Sequence, residues 1–305
     1  MFSRIVVGID GGSGGRDALA LARELANGAG EIVLAHVYLE SLLPARGSPG
    51  VFQAGEREQS RELLQAARSE SGLAATLCPV ASPSVGRGLH ELAERLGADL
   101  IVVGSSRHGL IGRAVLGSEM RAALNAAPCA VAVAPSGHAE HPSLVNEIGV
   151  GYNGSPESRR ALAVAKELAA ERGARVSAFE AVSLPRHAFA DAGDPSQEAL
   201  QAEVENARQR IAALGDVEAH AAYGDPAEEL ALYGASVGLL VVGSRGYGPL
   251  GRLIHGSTSL QLARSARCPL LVLPKAATAA TPSELDGERE TTASTDPVEG
   301  EIGTG

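Results

Sequence analysis

The chain repeats itself, and that repetition limits its fold more than any other feature. An apolar run ending on glycine, Ile101-Val102-Val103-Gly104, recurs as Leu240-Val241-Val242-Gly243. Gly104 and Gly243 stand 139 residues apart (243 − 104), as do Gly117 and Gly256 (256 − 117) and Cys129 and Cys268 (268 − 129). The opening runs, Ile5-Val6-Val7-Gly8-Ile9-Asp10 and Ile148-Gly149-Val150-Gly151-Tyr152-Asn153, align at 143 (151 − 8), so small deletions separate the copies. A period this long with matched motifs describes two domains of one fold, not a stack of short repeats. A chain of 305 residues has the length for two such domains, each with its own core.

Within each copy, short apolar runs alternate with amphipathic stretches, the pattern of an α/β domain with a parallel sheet covered on both faces. In the first copy, helices are expected over 14–27, 56–69, 88–96 and 117–126, with strands at 5–10, 31–38, 73–80, 101–104 and 129–134. In the second, Ser155 followed by Pro156 marks a helix start, and strands are expected at 148–151, 176–182, 217–222, 239–243 and 268–273. Each copy therefore reads as a doubly wound, Rossmann-like unit of five parallel strands in the order 3-2-1-4-5. The domains span 1–137 and 147–275, with a linker at 138–146. Beyond Lys275, seven acidic residues face a single Arg289 among Ala, Thr, Ser, Pro and Gly. Such a composition buries no core, and 276–305 is expected to be a disordered acidic tail.

Composition narrows the function. A net charge of −10 argues against a nucleic-acid backbone or an anionic membrane surface as partner. No apolar run is long enough to span a membrane. Met1-Phe2-Ser3-Arg4 leads straight into a strand and lacks signal-peptide form, which predicts a cytoplasmic protein. Three cysteines without a CxxC offer no metal or disulfide framework, and Cys129 and Cys268 read as small core residues.

The chemistry lies where strand four ends. After Gly243 come Gly246 and then Gly256-Ser257, which opens the next helix. Glycines permit a close ligand approach, successive amides form an anion nest, and the helix start adds unpaired N–H groups. Ser257 either caps that helix or donates its hydroxyl to a phosphate. No Ser/His/Asp or Cys/His constellation appears at motif spacing.

The spacing Gly243-x2-Gly246-x9-Gly256-Ser257 resembles the signature of the universal stress proteins, as do the Asp closing strand one, the His36-Val37 pair closing strand two and the Pro-Cys entry to strand five. The likeness covers both copies, about residues 1 to 275. It implies ATP, with or without Mg, as the ligand: a carboxylate after strand one beside the adenosine, a strand-two valine on the adenine, and the glycine loop on the phosphates. By position, the first copy supplies Asp10, Val37, Gly104, Gly117 and Ser118, with Arg107 where the second glycine of the signature stands. The second supplies Asn153, Ala181, Gly243, Gly246, Gly256 and Ser257, an amide and an alanine replacing the Asp and Val. The second copy is expected to hold phosphate better, and the first the nucleoside. The resemblance further implies packing of the two domains through their fifth strands in imitation of a family dimer, a homodimer or protein partner beyond that, and signalling rather than catalysis, with at most slow ATP hydrolysis. A nucleotide-free interaction module of the same fold is the alternative.

Overall fold

Ile5, Val6 and Val7 are all fully buried although they are consecutive, because a parallel sheet is covered on both faces and its strands need no polar side. A computed structural model shows this in each half. It describes residues 2–39, 49–105, 122–124, 127–142, 145–183, 197–244, 258–265 and 267–274, with the side chains of 27–29, 39 and 49–53 left aside. All of these fall in one compact unit, Met1–Lys275.

The first half runs β1 (Phe2–Gly8), α1 (Ser13–Leu25), β2 (Ala26–Leu39), α2 (Pro49–Ser71), β3 (Ala75–Ser82), α3 (Val85–Leu96), β4 (Leu100–Gly104) and β5 (Ala130–Ala134). The second runs β6 (Glu147–Gly151), α4 (Pro156–Arg172), β7 (Arg175–Val182), α5 (Gln197–Ala212), β8 (Glu218–Tyr223), α6 (Pro226–Gly234), β9 (Leu239–Gly243), α7 (Thr258–Ser265) and β10 (Leu270–Leu273). The helix expected over 117–126 falls largely outside the described residues. Helix α2 begins at Pro49, ahead of the start expected at 56, in a stretch rich in Pro, Gly and Ser. Proline at a first helical position loses no hydrogen bond, so composition alone misplaces such a start.

Each half has the strand order expected of it, but the two sheets are not separate. Hydrogen bonds run through one ten-stranded sheet, β3-β2-β1-β4-β5-β10-β9-β6-β7-β8. Pairing is parallel within each half and antiparallel only where β5 meets β10, so the sheet is mixed. At that seam Ala132 lies opposite Leu271, flanked by Val131 opposite Val272 and Val133 opposite Leu270. Since 271 − 132 is 139, Ala132 faces its own counterpart. A local pseudo-two-fold axis therefore passes between them, the self-complementary arrangement of an isologous contact.

The segment between the halves is anchored at its start. The buried Asp17 carboxylate of α1 accepts the amides of Gly137 (3.1 Å) and Ala139 (2.9 Å). The buried His138 ring reaches Glu24 at 3.2 Å. The core is Ala-, Val- and Leu-rich, and Cys129 and Cys268 belong to it. Burial pushes both thiols up to about 12, which makes them inert packing groups.

Candidate functional site

In a doubly wound sheet the carboxyl ends of strands one and four flank a crevice, because the chain leaves them in opposite directions. Here β1 pairs with β4 (Val7 opposite Val102), so Asp10 and Gly104 emerge side by side. Asp10 follows β1 directly and shapes the turn into α1. Its Oδ1 accepts the amides of Gly12 at 2.8 Å and Gly15 at 2.9 Å. Gly12, the N-cap residue, has no side chain to cap α1, and Asp10 supplies the missing acceptor. The carboxylate is thus held rigidly at the crevice and at the positive end of a helix.

Gly104 is explained by packing. A Cβ there would overlap the carbonyl oxygen of Gly14 and lie 2.6 Å from its Cα. The second half repeats the contact: a Cβ on Gly243 would sit 2.7 Å from both the Cβ and the carbonyl oxygen of Glu157. Glu157 is the counterpart of Gly14 (157 − 14 = 143). The first glycine of each loop lets strand four close against the first turn of the first helix. One difference matters chemically: the first half places a bare glycine at this point, and the second a glutamate.

Val37, at the end of β2, packs against α3, where a Cβ on Gly88 would come within 2.9 Å of it. Ala181 occupies the equivalent place on β7, since Gly8 pairs with Ala35 as Gly151 pairs with Phe179. The matching helix position there is Glu229, at the offset 141 that relates the N-caps Ser84 and Asp225 (225 − 84; 229 − 88). Valine over glycine in the first half is replaced by alanine on β7 and glutamate on α6 in the second, the Glu229 side chain lying against Gly224.

Asn153 keeps part of the Asp10 geometry, its Oδ1 accepting the amide of Ser155 at 3.2 Å. Ser155 itself caps α4 through the amide of Ser158, so the helix does not draw on Asn153. Arg107, Gly117, Ser118, Gly246, Gly256 and Ser257 lie outside the described residues, so of the expected site the structure places Asp10, Val37, Gly104, Asn153, Ala181 and Gly243.

Sequence reading names His36 only as part of a motif and misses its partner Ser60. His36 places Nδ1 3.0 Å from Ser60 Oγ on α2. Burial pushes this imidazole below its usual 6.5, against the pull of the Asp10 and Glu56 carboxylates. Serine, histidine and aspartate thus share one neighbourhood, but Ser60 is only 1% exposed and offers no hydroxyl to a substrate. Nothing in the spacing of residues 10, 36 and 60 marks this; only the pairing of β1 with β2 and the packing of α2 assemble it. A depression of about 570 Å³ lies elsewhere, an open hollow beside Glu31 on β2 and the start of β3, lined by Glu31, Arg68 and Thr76.

Comparison with known proteins agrees with this architecture. The profile of the universal stress protein family matches residues 1–135 and again 145–274. A universal stress protein of Mycobacterium tuberculosis (strain ATCC 25618 / H37Rv) is 33% identical over 182 residues, covering 57% of this chain and 61% of that protein, so the match spans less than two thirds of its length. The universal stress protein in the QAH/OAS sulfhydrylase 3' region of Thermus aquaticus is 38% identical over 142 residues, 43% of this chain and 99% of its own length. Among solved structures, a universal stress protein from Archaeoglobus fulgidus DSM 4304 superposes with a TM-score of 0.61 at 18% identity, covering 89% of this chain and 98% of that one, a likeness of fold. With both halves matched over most of the described sheet, the chain belongs to the universal stress protein family as a tandem, two-domain member.

Proposed function

We propose that the first half binds an adenine nucleotide, ATP with or without Mg, at the crevice between β1 and β4, and that the protein acts in the cytoplasm as a ligand-dependent signalling or partner-binding component of a stress response. The observation that carries this reading is Asp10. Its carboxylate is pinned by two amides at the switch point of the sheet, where it can accept ribose hydroxyls. Val37 supplies an apolar wall for a base, and Gly14 leaves the start of α1 unencumbered beside Gly104. Phosphates fall to Gly104, Arg107, Gly117 and Ser118. Binding rather than turnover is the assigned role, with hydrolysis at most slow.

The second half supports the alternative of a nucleotide-free packing module. Glu157 stands where Gly14 stands in the first half, a negative charge beside the expected phosphate position, and Asn153 lacks the charge of Asp10. The discriminating experiment is native mass spectrometry of the full chain titrated with Mg-ATP. One bound nucleotide, lost in Asp10→Ala, supports the proposal. No bound nucleotide at saturating Mg-ATP assigns both halves to packing and partner binding.

A further inference from the structure

The two halves act as internal controls for each other, and besides the crevice they disagree in the layer between the sheet and the third helix of each half. In the first half this layer is apolar, built from Val6, Val33, Leu89 and Leu92 with Cys78 beside them. Gly8 and Gly151 mark equivalent positions on strand one, and the registers of β1, β2 and β3 match those of β6, β7 and β8. Val6 therefore corresponds to Gly149, Val33 to Ser177, Thr76 to Glu218, Cys78 to His220 and Arg4 to Glu147. On the helices, Leu89 and Leu230 approach those two glycines in the same way, which makes Leu92 the counterpart of Tyr233 (233 − 92 = 230 − 89 = 141).

The exchange is concerted. Gly149 makes room for the tyrosine, since a Cβ there would lie 2.8 Å from its ring. The Tyr233 hydroxyl meets Ser177 Oγ at 2.5 Å, and Ser177 donates to Glu147 Oε1 at 2.8 Å. The other Glu147 oxygen accepts from Arg175 at 2.9 Å. His220 lies against the Tyr233 ring, centroids 5.7 Å apart, and its Nε2 is 3.4 Å from Glu218 Oε1. Ser177 gives its one proton to Glu147, so the Tyr233 hydroxyl is the donor to Ser177 in this chain of hydrogen bonds. Ser177 is wholly buried. Replacing valine and leucine by a buried Ser–Tyr pair weakens a core unless the polar groups are used. Here they end on a carboxylate that faces a second carboxylate and an imidazole.

We propose that Glu147, Glu218 and His220 form a binding site for a divalent transition-metal ion of the zinc class. One donor atom from each lies within 4.8 Å of the others. Tetrahedral zinc bonds of about 2.0–2.2 Å set such atoms roughly 3.3 Å apart, a spacing Glu218 and His220 already meet and Glu147 reaches by a small side-chain movement. One imidazole with two carboxylates suits zinc, and cobalt as its spectroscopic stand-in, over magnesium or calcium, which prefer oxygen alone. Glu218 and His220 alternate on one strand and so project to one face. Ser177 orients Glu147, and the Tyr233 ring seats His220, the outer support that metal ligands require. The fourth position is left to water. Arg175 balances the charge of Glu147 without covering the site, its side chain being 75% exposed.

The test is calorimetric titration of the full chain with Zn2+, and with Co2+ for its visible spectrum, in parallel with His220→Ala and Glu218→Gln. Cys78→Ala, at the matching position of the first half, is the control. Both altered residues are partly solvent-exposed, and thermal melts of the metal-free proteins establish that the variants fold. The expected result is zinc binding to the parent and to Cys78→Ala with a raised melting temperature, weakened at least about tenfold in each of the other two, with Mg2+ giving no effect. Zinc binding unchanged in His220→Ala and Glu218→Gln, or no zinc binding to the parent, overturns the proposal. It stands apart from the nucleotide reading, since the cluster sits toward the amino ends of its strands.

Discussion

The Cα of Gly104 lies so close to the backbone of Gly14 that a Cβ at residue 104 would sit 2.6 Å from the Gly14 Cα. A glycine that sequence alone offers as part of a phosphate cradle therefore has a structural duty of its own. Both duties need the same missing side chain, so the loss of ligand in a Gly104 variant says nothing by itself about contact with the ligand.

Gly104→Ala is expected to lower stability by about 1–3 kcal/mol, the usual cost of overpacking a site that cannot yield. Gly243→Ala should behave alike, against Glu157. Thermal or urea unfolding without nucleotide checks this. A Gly104→Ala protein as stable as the parent would show that α1 can retreat from β4 and that the contact is not tight.

Asp10 separates capping from charge. Asp10→Asn keeps an oxygen for the amides of Gly12 and Gly15 and should lose less than about 0.5 kcal/mol, whereas Asp10→Ala strips the cap and should lose about 1 kcal/mol. Both should weaken nucleotide binding. Melting curves and ATP titration of the same two proteins separate the effects: equal affinities for parent and Asp10→Ala would remove Asp10 from the site.

His36 gives a pH signature. Its folded pKa lies below the unfolded value of 6.5 because burial disfavours the charged ring. The unfolded chain then binds more protons around and just below that pH, so stability falls as pH drops through 6.5 toward the folded pKa and is unaffected well above it. His36→Gln should flatten this part of the profile. Unfolding midpoints from pH 5 to 8 for both proteins test it, and parallel profiles would assign the slope to another group.

Much of the fold was legible in the chain. Ser155-Pro156 announces α4 because a capping hydroxyl and a proline at the first helical position act locally, and the structure places both as expected. The apolar runs ending at Gly104 and Gly243 announce buried strands for the same reason. The junction of the two sheets was expected as packing but not as a continuous ladder, because antiparallel pairing of Ala132 with Leu271 depends on how two finished halves dock. The candidate site was legible at Asp10, which a motif marks at the end of β1. It was not legible at Ser60, Gly14 or Gly88, whose roles come from helices brought in from far along the chain. The pairing of Gly14 with Glu157 follows from the repeat offset, but that each faces the first glycine of its loop is seen only in the folded chain.

That contrast supplies the last prediction. If a carboxylate beside Gly243 is what keeps nucleotide from the second half, neutralising it should add a site without altering the packing. Glu157→Gln keeps the side-chain volume and the contact with Gly243 while removing the charge. It also removes an acid from the first turn of α4, which should lower stability by about 0.3–1 kcal/mol. Native mass spectrometry at saturating Mg-ATP should then show a second nucleotide bound where the parent binds one. A stoichiometry still at one would mean that Asn153 and the alanine at 181, rather than the charge, exclude the ligand. The double variant Glu157→Gln, Asn153→Asp would next be measured, since it restores the carboxylate that the first half carries at Asp10.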